Sequence, residues 1–231
     1  WVVELGDGVF RGDGNWNATV HGRPLTIRSR SGDPERCIID CQGGGWGLYF
    51  DNVSAGGLSG VTITNGVGAH PGTFDFAGFA CGNSSITIDR CRFLHNLSWG
   101  CAGVLLSGSN ATVRDCSFVD NAVLSIEGGS CFICSGLNTF ERCTFYNNQG
   151  PVGRIYGPTT LDRTIIAFST GGGAMGGYAP DLVATCCDVF GNAGGPGLLA
   201  PLIGQDGNIA EDPLFCDAAN GDLTLGQGSP C

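Results

Sequence analysis

The stretch "TFERCTFYNN" at 139–148 is the third of three near-copies, after "TIDRCRFLHN" at 87–96 and "TVRDCSFVDN" at 112–121. In each, a cysteine is followed two places later by phenylalanine and three places after that by asparagine. Aligned on this motif, Cys91, Cys116 and Cys143 share one file. Thr164 of "TTLDRTIIAF" and Cys187 of "VATCCDVFGN" continue it, and Val61 of "LSGVTITNG" precedes it. From Val61 onward the intervals are 30, 25, 27, 21 and 23 residues. A period of 20–30 residues with variable insertions marks a solenoid and argues against a closed barrel.

Each copy holds short alternating segments, such as Ile86-Thr87-Ile88 then Cys91-Arg92-Phe93, that read as strands of three to five residues. Gly, Asn and Ser interrupt them, and no stretch carries the 3.6-residue period of an amphipathic helix. Short strands, one per face of a coil, describe an all-β, single parallel β-helix, expected here to have roughly eight to ten coils. Ile86, Ile88, Cys91 and Phe93 are expected to point inward, Thr87 and Arg92 outward.

Coils stacked about 4.8 Å apart turn the files into ladders. Cys91, Cys116, Cys143 and Cys187 form an internal cysteine file, read here as small hydrophobes in a narrow buried column. Phe93, Phe118 and Phe145 form an aromatic stack, and Asn96, Asn121, Asn148 and Asn192 a turn file expected to tolerate left-handed backbone. A second face is expected to repeat as Phe79-Ala80, Leu105-Leu106, Ile133-Cys134 and Ile155-Tyr156. Two outward files, Asp89-Arg114-Glu141-Asp162 and Arg90-Asp115-Arg142-Arg163, alternate in sign over three coils. They should pair Asp89 with Arg114 and Arg114 with Glu141, fixing register more than stability.

Composition agrees with one continuous object of 231 residues: N-terminal coils over 1–44, central repeats over 45–192, and C-terminal loops and cap over 193–231. Glycine is 41 of 231 without a Gly-X-Y period, which excludes collagen. The 42% hydrophobic content supplies a core. All eleven cations are arginine and the net charge is −10, a surface that repels phosphate backbones, so nucleic acid is not an expected partner. No run of eighteen apolar residues spans a membrane. Thirteen cysteines and N-x-S/T sequons at Asn17, Asn52, Asn83, Asn96 and Asn110 point to an extracellular or cell-surface protein, with Asn17, Asn52, Asn83 and Asn110 the candidate glycosylation sites. The chain starts at Trp1, so any signal peptide is expected to have been removed already.

The opening "LGDGVFRGDGN...GRPLTIRSRSGDPERCIIDCQGG" and the closing "GNIAEDPLFCDAANGDLTLGQGSPC" resemble the two ends of right-handed parallel β-helix repeat proteins. These are bacterial secreted and surface proteins of the pectin-lyase-like superfamily, and the resemblance covers essentially the whole chain. It implies the fold and export, and leaves the chemistry to the site.

Polysaccharide lyases on this fold use Arg or Lys as base beside carboxylate-held calcium. Without lysine, only arginines such as Arg92 and Arg154 could serve, and neither has clustered carboxylates in the stacked register. Glu141 and Asp162 could meet a glycosidase spacing, but they read more simply as a surface charge file. No catalytic residue is therefore assigned, and the chain is read as leaning away from enzymes. Asp206, Asn208, Glu211 and Asp212 could be drawn into a calcium site, though their spacing matches neither an EF-hand nor a nonapeptide repeat. Cys131 and Cys134 are spaced C-x-x-C inside a strand, where their side chains should face opposite sides, so no metal is assigned. Cys216 and Cys231 flank a closing segment where a disulfide would contribute about 3 kcal/mol. The ladder cysteines could also bridge between coils, and an odd total leaves at least one thiol over.

The "RGD" at 11–13 falls inside the opening turn. Trp46, Tyr49 and Trp99 would form a sugar-stacking platform if they faced outward. The segment "WVVELGDGVF" reads directly as strand with no capping helix before it, while irregular loops over 194–204 and the Cys216–Cys231 segment are expected to cover the other end. An open edge invites self-association through the solenoid ends, or through the insertion at 65–83, and a contact that does not close gives a filament. The expected function is thus a non-catalytic extracellular structural solenoid that self-assembles. The alternatives are a carbohydrate-binding or adhesin-like module contacting a polysaccharide, and a polysaccharide lyase or hydrolase.

Overall fold

The computed structural model describes residues 1–68, 75–178 and 181–231. Three parallel sheets wrap one core. Sheet A has eight strands, from Val2–Leu5 to Leu182–Thr185; sheet B has eight, from Gly8–Phe10 to Asp188–Phe190; sheet C has seven, from Ala18–His21 to Met175–Gly177. The chain visits A, B and C in turn, giving seven complete turns and two strands of an eighth, just short of the eight to ten expected. Among the described residues, no helix is long and apolar enough to cross a membrane.

Alternation along each three- to five-residue strand places one face inside. Ile88, Val113, Phe140 and Leu161 align in sheet A, and Phe93, Phe118 and Phe145 in sheet B, all essentially unexposed. The phenylalanines stack with centroids 4.9 and 4.7 Å apart. In sheet C the register differs from the expected one. Phe79 pairs with Val104 and Ala80 with Leu105, while Ile133 pairs with Arg154, so Ile155 and Cys134 share the inner file. The reason for the second shift is Gly153: it faces inward, and a Cβ there would lie 2.2 Å from the Phe132 ring, so the ring fills the place of a side chain.

The corner between sheets A and B carries the cysteine file, and its role is polar as well as apolar. The Cys91 amide donates to Cys116 Sγ (3.3 Å), the Cys143 amide to Thr164 Oγ1 (3.4 Å) and the Cys187 amide to Asn208 Oδ1 (2.9 Å). The Cys91, Cys116, Cys143 and Thr164 side chains each donate to the carbonyl two residues back. Cysteine, threonine and asparagine are interchangeable here because each offers an acceptor to the preceding turn. Burial pushes Cys116 well up and Cys187 up to about 11, so both remain thiols at neutral pH. Cys116→Thr and Cys116→Val are near-isosteric, and only valine leaves the Cys91 amide without an acceptor. The valine variant should unfold at lower denaturant, less stable than the threonine variant by about 1–3 kcal/mol.

The asparagine file occupies the next corner. Asn121 Oδ1 accepts both the Asn96 amide (3.1 Å) and Asn96 Nδ2 (3.0 Å), and Asn148 Oδ1 does the same for Asn121 (2.9 and 3.1 Å). Asn192 Oδ1 serves Ser169. The left-handed backbone expected of these asparagines falls one residue earlier, on His95, Asp120 and Asn147 (φ 51 to 54) and on Gly191 (φ 64). The asparagines face inward to reach the neighbouring turn, and it is the residue before each that reverses the chain.

Of the expected charge pairs, Arg114 binds Asp89 at 2.8 Å, while Glu141 turns to Arg142 at 3.8 Å. Arg142 in turn grips Asp115 through two bonds of 2.7 and 2.8 Å. Burial pushes the Asp89 carboxyl up, but hydrogen bonds from Arg90 and Arg114 outweigh it and hold it below its ordinary value. A depressed carboxylate stabilises the fold above its unfolded pKa of about 3.9 and loses that contribution as pH falls through its folded value. The stability gap between the native chain and Asp89→Asn should therefore be about 1 kcal/mol near neutrality and should close in acid below about pH 4.

The C-terminal residues depart from the expected cap. A 3-10 helix, Gly197–Leu202, covers the last turn and drives Leu199 into the core. The closing segment instead forms an antiparallel hairpin, Phe215–Asp217 with Asp222–Leu225, whose Phe215 packs edge-on against Tyr146 of sheet B (5.6 Å). The hairpin is therefore a strap on the outside of sheet B. The expected Cys216–Cys231 bridge is absent: both are free thiols, and Cys231 donates to Asp188 Oδ2 at 3.2 Å. No ladder cysteine is bridged either. Of the insertion at 65–83, residues 69–74 lie outside the described residues.

Candidate binding trough on the first sheet

Threonine precedes Cys91, Cys116, Cys143 and Thr164 of the corner file by four residues, and the register stacks Thr87, Thr112, Thr139 and Thr160 on the outer face of sheet A. Alternation demands an outward residue there, and β-branched threonine suits an exposed strand position. The file stops at Gly57 on one side. That glycine sits at φ 148 with no room for a side chain, since a Cβ would lie 1.7 Å from the Thr87 carbonyl oxygen. On the other side Val183 continues it.

These threonines form the floor of a trough of about 610 Å³. One wall is the corner file Ser85, Asn110, Leu137, Pro158 and Asp181. Beyond the floor on the other side stands the charged file Asp89, Arg114, Glu141 and Asp162. Five rungs at about 4.8 Å give a length near ~20 Å. Among the described residues, Asp181 is the one ionisable side chain lining it. The trough thus offers a row of hydroxyls alternating with methyls, suited to an elongated, uncharged, hydroxyl-rich chain.

The residues singled out from the sequence do not gather at this trough. Arg92 lies on sheet B, bound to Glu35 at 2.7 Å, and Arg154 on sheet C, bound to Glu127 at 3.1 Å and to the Ile126 carbonyl. Glu141 and Asp162 are neighbours on sheet A, each turned to the arginine that follows it. Trp46 is half-buried against Phe76 (5.0 Å), with Tyr49 on the same ring (5.9 Å), whereas Trp99 is 40% exposed. All three belong to the sheet C side. The RGD arginine Arg11 is tied to Asp40 at 2.9 Å.

Asn208 cannot join a calcium site, because its side chain points inward, accepting from Cys187 and donating to Ala184 and Leu202 carbonyls. Among the described residues, no cluster of three or more His, Cys, Asp or Glu side chains could hold a metal. Cys131 and Cys134 do not face opposite sides. Cys131 precedes the strand Phe132–Cys134 at a corner, and both are fully buried. Asn17, Asn52, Asn83 and Asn110 are exposed, but Asn96 is buried within its ladder.

A family model described as right handed beta helix region matches residues 20–157. No curated protein matches. Among solved structures, that of a trypsin-treated variant of QnrB1, a plasmid-mediated fluoroquinolone resistance protein, aligns at 14% identity with a TM-score of 0.35. The alignment covers 98% of this chain and 100% of that one, and a likeness at this level carries nothing about function.

Proposed function

Because this chain belongs to the right-handed β-helix family, a fold whose function resides in the sites built on it, we propose that it is an exported, non-catalytic solenoid holding a neutral polysaccharide chain lengthwise on sheet A. The observation that carries this reading is the threonine-floored trough. Threonine hydroxyls bond sugar hydroxyls, their methyls meet the apolar faces of sugar rings, and the lack of charge along the middle of the trough favours a neutral polymer over a uronate one. Export is supported by the exposed sequon asparagines Asn17, Asn52 and Asn83, which lie outside the lining of the trough.

Affinity electrophoresis through gels cast with neutral or acidic polysaccharides tests it. The native chain should be retarded by at least one neutral polymer. A Thr112→Val, Thr139→Val double variant keeps the β-branched shape and should weaken that retardation about tenfold, the worth of roughly 1.4 kcal/mol of hydrogen bonding. Retardation by acidic polymers alone would overturn the reading, and so would turnover of a uronate polymer, seen as rising ultraviolet absorbance.

A second reading, self-association, is favoured by the first rung. Its outer edge is unpaired among the described residues, and Trp1, Val2, Val3 and Val9 are exposed there by 84, 58, 43 and 48%. At the opposite end the 3-10 helix lies against the last strand of sheet C. A closed head-to-head pair would bury these apolar first-rung side chains on both copies. Sedimentation velocity should then show a concentration-dependent dimer, lost in Val3→Glu.

A further inference from the structure

Where the strap meets the last turn, Cys186, Cys187, Asp188 and Cys231 line one cavity of about 450 Å³, with Gly207 and Pro230 in its wall. Cys186 occupies the left-handed corner position (φ 51) that Arg90, Asp115, Arg142 and Arg163 hold in earlier turns. An exposed thiol therefore replaces a charged side chain at this rung. Gly207 leaves room for it, since a Cβ there would lie 3.0 Å from Cys186 Sγ. Cys187 is turned away, 1% exposed, with its thiol on the Thr185 carbonyl.

Cys231 approaches from the strap. Its thiol donates to Asp188 Oδ2 at 3.2 Å, and Asp188 Oδ1 accepts the Glu211 amide at 3.1 Å. Asp188 is 2% exposed, a carboxylate held in place and aimed at a sulfur. Cys216, the expected partner of Cys231, does not line the cavity.

We propose that Cys186 and Cys231 form a thiol–disulfide site, oxidised by a small-molecule disulfide, that fastens the strap to the last turn. The exposed Cys186, as thiolate, attacks one sulfur of the small disulfide. That S–S bond breaks, and the departing thiolate takes up the proton Cys186 lost. Cys231 then passes its proton to Asp188 and attacks the Cys186 sulfur of the mixed disulfide. The second small thiolate leaves and is protonated from Asp188. In sum, two protein thiols become one disulfide while the small disulfide is reduced to two thiols. Asp188 matters because burial, with the carboxylate beside it, pushes Cys231 up to about 12 and leaves little thiolate without a local base. Burial also raises Asp188 itself, bringing its proton affinity towards that of the thiol.

Incubating the folded full chain with oxidised glutathione, then cutting with chymotrypsin without reduction, tests the site. Mass spectrometry should show the peptide holding Cys186 joined to that holding Cys231. The link should vanish in C186S and persist in C216S. Asp188→Asn should slow closure about tenfold while leaving glutathione capture at Cys186 unchanged. A Cys216–Cys231 link, a link that survives in C186S, or glutathione remaining on Cys186 with no cross-link would each overturn the assignment. Should D188N fail to fold, the peptide map of the native chain and C186S still decides.

Discussion

Replacing Asn121 by alanine should lower the free energy of unfolding by roughly 3–5 kcal/mol, measured from the denaturant midpoint. Its side chain is fully buried and serves three neighbours at once: its oxygen accepts two N–H groups of Asn96, and its nitrogen donates to the Phe93 carbonyl (2.8 Å) and to Asn148 Oδ1 (3.1 Å). Alanine leaves the Asn96 amide without a partner in a place water does not reach, and takes one donor each from the Phe93 carbonyl and Asn148 Oδ1; a buried orphan costs about 1–3 kcal/mol and each further lost bond about 0.5–1.5 kcal/mol. Asn192→Ala is the control. That asparagine ends the file, is half-buried and bonds Ser169 in place of another asparagine, so water can replace part of what is lost. A loss at Asn121 no larger than at Asn192 would mean that the file contributes no more than its separate bonds.

Phe118→Ala should cost about 3–5 kcal/mol by a different route, the loss of transfer energy together with a cavity that cannot collapse. Phe118 is sandwiched between Phe93 and Phe145 in rungs locked by backbone ladders on both sides. Its neighbours therefore cannot slide in to fill the space. Phe118→Leu should recover much of the loss. Thermal unfolding of the two variants separates volume from aromatic stacking, since only a stacking contribution would leave the leucine variant close to the alanine one.

Periodicity made the sheets A and B legible, because one motif carries both an inward phenylalanine and a corner cysteine at fixed separation. Sheet C was read one residue out of place at two rungs. Its strands follow insertions of unequal length, and an inward glycine such as Gly153 leaves no hydrophobic mark in the sequence. The chemistry of the corner was hidden because a buried cysteine looks apolar by composition. Thr164 and Asn208 in the same file were the signal that the position serves as a hydrogen-bond acceptor at several rungs. The threonine floor stood in the very motif that revealed the fold, four residues before each cysteine. Threonine is so common in strands that only the trough around it distinguishes a surface from a site. The strap depends on a contact between Phe215 and Tyr146, distant in sequence and outside any repeat, so no period announced it.

The corner files have a direction. In the inward cysteine, asparagine and serine files the side-chain acceptor lies on the later turn and the amide it serves on the earlier one, as with Cys91 and Cys116, Asn96 and Asn121, Ser84 and Ser109, or Cys187 and Asn208; the exposed Asn17 and Asn110 run the other way, each accepting from a later amide. A turn is thus finished only by the residues synthesised after it. As the polypeptide leaves the ribosome, the completed stack would carry a single unfinished coil at its growing end, each arriving coil closing the last. Translation order and assembly order then coincide, and a chain halted early would be left with one raw coil, however many stood behind it.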